Sequence, residues 1–172
     1  VTELKPSKDV LYTSKIFPLD FIAIQNCLAI LQSGSRLQMI SEETFKDTKK
    51  YIAFLEEHRS TDIYMLPSMY KIRYKQIPDC VKHIYLSAET CVDLPASEKQ
   101  EVINLYISSE TGFCCAQFSC DGRQGNMPLG KPTSKKALLL LGQDNIAVSE
   151  AEVGDIYAYL PYTRGYINRP DE

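Results

Sequence analysis

Gly112-Phe113-Cys114-Cys115-Ala116-Gln117-Phe118-Ser119-Cys120-Asp121-Gly122-Arg123 is the stretch on which the fold is read. Residues 112–119 carry β-branching-free but strongly apolar strand character, and Asp121-Gly122 is the dipeptide that most favours a tight hairpin turn. Strand-like runs recur at short intervals on both sides of it, at 69–74, 81–87, 102–107, 137–141, 156–160 and 165–168. Prolines at 67, 78, 95, 128, 132 and 161 punctuate them, as between antiparallel strands. Gly142-Gln143-Asp144-Asn145 is a further turn signal. Ser97 with Gln100 has the form of a capping box, but Ile103, Leu105 and Ile107 alternate as a strand does, and the strand is preferred.

Upstream, residues 11–25 read as strand, turn and strand, with Phe17-Pro18-Leu19-Asp20 as the turn. Ile24, Cys27, Leu28 and Leu31 also fit one helix face. The clearest helix spans about 42–58. Ser41 can cap it, Glu42 and Glu43 suit the positive end of its dipole, and Phe45, Thr48, Ile52 and Leu55 form its apolar stripe. The expected fold class is therefore α+β: a small, mostly antiparallel β-barrel or sandwich in the C-terminal half (about 68–170), packed with one or two helices from an N-terminal hairpin-and-helix part (about 11–58), all in a single domain over 1–172.

Composition bounds the function. With 44% hydrophobic and 24% charged residues in 172, the chain has a globular make-up and enough length to bury a core without staples. A net charge of −3 gives no support to a nucleic-acid binder, although it leaves room for a local basic patch. No signal peptide is visible and no apolar run reaches a membrane span; the longest, 21–31, contains Gln25 and Asn26. The six cysteines (27, 80, 91, 114, 115 and 120) then read as free thiols in a reducing, intracellular compartment, cytoplasmic or nuclear.

No catalytic constellation stands out. His58 falls where a helix C-terminal cap is expected, and His83 lies within a strand, as a surface or cross-strand residue. A thiol hydrolase or transferase using Cys115 or Cys120, with His83 as base, is the enzyme alternative; adjacent Cys114 and Cys115 on a strand point to opposite faces, so one should be buried and the other more exposed. Paired Cys-x-x-Cys knuckles and glycine-rich phosphate loops are absent, so neither a metal nor a cofactor is expected.

Two stretches resemble Tudor domains, in particular the extended kind found in scaffold proteins of germline small-RNA pathways. Residues 12–25 are similar to the entry hairpin of that fold. The run opened on above is similar to its first hairpin, with its Cys-Ala-x-Phe-x-x-Asp-Gly pattern. Leu140 to Asn145 occupies the place of the second turn. The resemblance implies a non-enzymatic interaction module that binds a peptide segment or partner domain, with Phe118, Asp121, Asn145, Tyr157 and Tyr159 as contact residues. Gln124-Gly125 and Leu140-Leu141 stand where cage aromatics belong, so no intact methylarginine cage is implied. Residues 152–161 with 166–168 resemble instead the Gly-Asp…Pro strand pair of cupin barrels, without metal-binding histidines, which implies a dimerisation domain. Homo-oligomerisation through an edge strand is a third expectation.

Overall fold

The computed structural model describes residues 10–15, 21–108, 110–111, 114–133, 138–149, 152–159 and 165–169. Its centre is a seven-stranded sheet. Strands β1 (Leu11–Ser14), β2 (Arg36–Met39), β3 (Asp62–Met65), β4 (His83–Leu86), β5 (Glu101–Ile107), β6 (Cys114–Ser119) and β7 (Lys131–Pro132) stand in the order β2-β1-β3-β4-β5-β6-β7. The pairs β1·β2, β1·β3, β3·β4 and β4·β5 are parallel, and β5·β6 and β6·β7 are antiparallel. Two further strands, β8 (Leu138–Leu141) and β9 (Asp155–Ala158), make a separate antiparallel ribbon.

The expected antiparallel barrel or sandwich is thus corrected to an α/β mixed sheet whose edges, among the described residues, are β2 and β7. Parallel neighbours need crossovers; helices supply three of the four, and residues 87–100 connect β4 to β5 without one. Helix α1 (Phe21–Gln32) links β1 to β2 where a second strand was expected over 21–25. Helices α2 (Glu42–Lys46) and α3 (Thr48–Glu57) link β2 to β3. Helix α4 (Pro67–Arg73) occupies the supposed strand at 69–74. Pro67 sits at its first turn, where the missing N–H costs nothing, and Tyr70 and Arg73, three apart, point into the core together. The Phe17–Asp20 turn and Phe113 lie outside the described residues.

The helix expected over 42–58 forms as two. Ser41 caps α2 by accepting from Thr44 N at 3.2 Å. Asp47 then breaks the run and caps α3, accepting from Lys50 N at 3.0 Å. His58 is the C-cap residue of α3, its ring edge-on to Phe54. Gly122 does adopt a left-handed turn conformation (φ 76°), but the chain then runs on to β7 instead of folding straight back.

Each face of the sheet has its own core. On one, α2, α3 and α4 pack Tyr51, Leu55 and Tyr70 against Ile63, Met65, Ile84, Leu86 and Val102. On the other, Tyr12, Ile30 of α1, Tyr85, Leu105 and Cys114 form a smaller cluster. Arg73 is 2% exposed beneath the first layer. Its guanidinium donates through Nη2 to the carbonyls of Phe45 (2.7 Å) and Lys46 (3.3 Å), and lies 4.7 Å from the Tyr51 ring centroid.

Candidate functional site

Because β2 and β3 lie on opposite sides of β1, the strand order reverses at β1. In open α/β sheets ligands bind outside the carboxyl ends of the strands at such a reversal. The carboxyl ends of the parallel strands β1, β3, β4 and β5 lie along this edge, so it is the candidate site.

Lys15 follows β1; its side chain is largely covered and pairs with Glu42 at 3.3 Å. After β3 comes Leu66, which gives α4 no side-chain cap. Glu89, from the loop after β4, supplies one instead, accepting from Ser68 N (2.9 Å) and from the Ser68 hydroxyl (3.0 Å). Between them, Ser87 is buried and Ala88 is held at φ 70°, a backbone region that alanine rarely adopts. Strain of this kind gathers at functional sites, where surrounding structure holds it in place. After β5, Ser108 and Thr111 tie the loop through reciprocal bonds, including Thr111 Oγ1 to Ser108 O at 2.9 Å. Glu110 projects between them, exposed. Its own backbone N–H and the Ser108 hydroxyl hold its carboxyl below the usual range, with a smaller contribution from Tyr166. The Tyr166 hydroxyl donates to Glu110 Oε1 at 3.4 Å.

This edge was not singled out from sequence, yet a signal was present. Leu86-Ser87-Ala88-Glu89-Thr90 and Ile107-Ser108-Ser109-Glu110-Thr111 repeat one pattern, an apolar residue followed by Ser-x-Glu-Thr, at the ends of adjacent parallel strands.

At the opposite, amino edge, His83 Nδ1 lies 2.9 Å from Asp62 Oδ1 and its Nε2 3.9 Å from Glu101 Oε2, while Tyr85 donates to Asp62 at 3.3 Å. His83 is therefore a cross-strand residue. Cys115 is two strands away and near the other end of β6, roughly 15 Å along the strand direction at ~3.3 Å per residue. Cys120 packs with the core on the other face of the sheet. Neither thiol has His83 as a base. Cys114 and Cys115 are both buried, against the expectation that one would be exposed; the β5·β6 register shifts here, with Ala116 and Cys114 opposite consecutive residues Tyr106 and Ile107, so strict alternation fails at Cys115. Burial pushes the Cys91 thiol up to about 11 and the Cys114 thiol up to about 12. Raised pKa values leave the unreactive protonated form at neutral pH. Alkylation of the folded protein at pH 7.5 should therefore spare both for hours, with modification in unfolding denaturant as the control; rapid labelling of either in the native state would contradict this placement.

Phe118 lies on β6 with the Arg123 guanidinium 5.0 Å from its ring centroid, and Asp121 pairs with Arg123 at 2.6 Å, which holds the Asp121 carboxyl down at about 2. Asn145 is at the turn after β8 (φ 59°), its N–H bonded to Gly142 O at 3.0 Å. Tyr157 and Tyr159 are exposed on and just after β9. Phe118 thus stands on the seven-stranded sheet and Tyr157 on the separate two-stranded ribbon, with Asp121, Asn145 and Tyr159 outside the strands. Among the described residues no group of three or more His, Cys, Asp or Glu is placed to hold a metal ion, and no helix is long and apolar enough to cross a membrane.

No protein-family model matches the chain. Among solved structures, the N-terminal subdomain of Klebsiella oxytoca NpsA, in complex with 3-hydroxybenzoyl-AMSN, superposes with a TM-score of 0.68 at 10% identity, over 87% of this chain and 41% of that one. IdnL1 superposes with a TM-score of 0.70 at 16% identity, over 87% of this chain and 34% of that one. The fold is an α/β adenylation-subdomain fold. Peptide synthases and synthetases recur among curated relatives. Tyrocidine synthase 2 of Brevibacillus parabrevis is 26% identical over 165 residues, 87% of this chain and 5% of that protein. The nonribosomal peptide synthetase ebony of Drosophila melanogaster is 24% identical over 166 residues, 82% of this chain and 19% of that protein. The chain thus spans a small part of the relatives it matches. These findings overturn the Tudor-like scaffold of a small-RNA pathway, and they support neither the cupin-like dimerisation domain nor the cysteine-dependent hydrolase. The expectation of a non-enzymatic module is also corrected, since the relatives are synthetases, of which this chain resembles part of one subdomain.

Proposed function

We propose that this chain forms part of the N-terminal subdomain of an adenylating enzyme of the nonribosomal peptide synthetase kind, and that its carboxyl-edge loops line a site for a carboxylic acid joined to an adenosine-type group. One observation carries the reading: 87% of the chain superposes on the NpsA subdomain, a protein solved with 3-hydroxybenzoyl-AMSN. The strand reversal at β1, the strained Ala88 and the Glu110 loop support placing the site at that edge. Six free cysteines fit an intracellular, reducing compartment.

Titration of the isotope-labelled chain with 3-hydroxybenzoyl-AMSN tests this. Saturable amide shifts confined to 87–90 and 108–111 are expected, with about tenfold weaker binding in Glu110→Gln, equivalent to ~1.4 kcal/mol. Absence of shifts in both loops at millimolar ligand would refute the placement.

A further inference from the structure

Two buried hydrogen-bond donors have no acceptor among the described residues: Nη1 of Arg73 and the hydroxyl of Tyr51. Arg73 sits on α4 and Tyr51 on α3, and the guanidinium carbon lies 4.7 Å from the Tyr51 ring centroid, so the two belong to one cluster. The rest of the guanidinium is engaged. Nη2 donates to the carbonyls of Phe45 and Lys46, and Nε to Thr48 Oγ1 at 3.3 Å. All three acceptors are uncharged, so none of them neutralises the cation. Asp47, whose charge also acts on Arg73, is exposed and turns its carboxylate to Lys50 N. Burial pushes the Tyr51 phenol up, so its proton stays on the oxygen and is there to be donated. An uncompensated charge and an unmet donor are both costly inside a protein. Where such groups persist in a native fold, a bound ion or an ordered water accounts for them.

We infer that Arg73 Nη1 and the Tyr51 hydroxyl together bind a small monovalent anion of chloride's size, where α2, α3 and α4 meet. Charge and size select this ligand. Both groups only donate at this point, and one carries a full positive charge, so an anion meets both at once and supplies the missing counter-charge, which a water does not. Both donor atoms are closed off from solvent, which disfavours a polyatomic anion such as phosphate. The bound ion ties α4 to α3 through side chains that the protein's own carbonyls leave half satisfied. The inference is independent of the adenylation reading and of ligand binding at the carboxyl edge.

Thermal melts in about 0.2 M sodium chloride and in sodium gluconate of equal ionic strength test this. Chloride bound with a dissociation constant of about 20 mM is expected to raise the melting temperature by about 3–5 °C over gluconate. Equal melting in the two salts would overturn the inference. Tyr51→Phe separates an ion site from a pair of unmet donors, because it keeps the ring and removes only the hydroxyl. With an anion bound, the variant loses most of the chloride increment and melts below the parent in chloride. A hydroxyl that is merely unmet gives the opposite result: its removal stabilises the protein equally in both salts, and the inference falls. Crystals of the parent protein grown in sodium bromide give a readout that needs no variant. An anomalous bromide peak within hydrogen-bond reach of Arg73 Nη1 is expected, and water density or no density there is the contrary outcome.

Discussion

Arg73→Ala is expected to lower the free energy of unfolding by about 3 kcal/mol. The guanidinium is buried without an acidic partner among the described residues, and burial pushes its pKa down. What holds it is the carboxyl end of α2, whose unsatisfied carbonyls at Phe45 and Lys46 accept from it, together with the faces of Tyr51 and Phe45. Hydrogen bonds to a charged group contribute ~1.5–3 kcal/mol, and a desolvated cation–π contact up to ~2 kcal/mol. Alanine loses both and leaves the half-buried Phe45 carbonyl without this donor. Lysine keeps the charge but not the planar fork, so Arg73→Lys should recover less than half of the loss. Denaturant midpoints at constant m-value measure both. A loss below ~1 kcal/mol in the alanine variant would show that α2 and α4 are not joined through this side chain.

Leu55→Ala is expected to cost a similar amount, roughly 3 kcal/mol. Leu55 is fully buried between α3 and the sheet, and its truncation leaves a cavity ringed by residues that strands and helices fix in place. Buried Leu→Ala changes cost ~2–5 kcal/mol for that reason. At ~2–4 °C per kcal/mol for a chain of this size, the melting temperature should fall by about 6–12 °C. Leu28→Ala, in an exposed position on α1, is the matched control and should stay within ~0.5 kcal/mol. Equal losses at the two positions would mean that the two faces of the sheet are packed alike.

These two residues also show how unevenly the fold could be read. Leu55 was legible: Ser41, the acidic first turn and the stripe through Ile52 and Leu55 announce a helix, and the helix is there. Its division at Asp47 was not, because an aspartate inside a helical pattern looks like a surface residue until its carboxylate is seen on Lys50 N. Arg73 was not legible at all. The segment 69–74 has the composition of a strand, since Met, Tyr and Ile satisfy strand preference as well as they satisfy a helix face, and a seven-residue helix is too short for periodicity to decide. The same ambiguity at 21–25 exchanged a crossover helix for a hairpin strand, and with it a parallel sheet for an antiparallel barrel.

The amino-acid sequence by itself determined the local pieces: the strands around 83–86, 101–107 and 114–119, the capped helical region after Ser41, and the Gly142–Asn145 turn. Each follows from side-chain alternation, capping chemistry or turn preference within a few residues. Only the tertiary structure decided strand order and direction, the burial of both Cys114 and Cys115, and the place of the site. Lys15, Glu89 and Glu110 are about 20 to 95 residues apart along the chain and come to one edge because β1, β3, β4 and β5 run parallel. Pairing direction is set by how the crossovers pack on the sheet, an energy shared among distant segments that no short stretch of sequence carries.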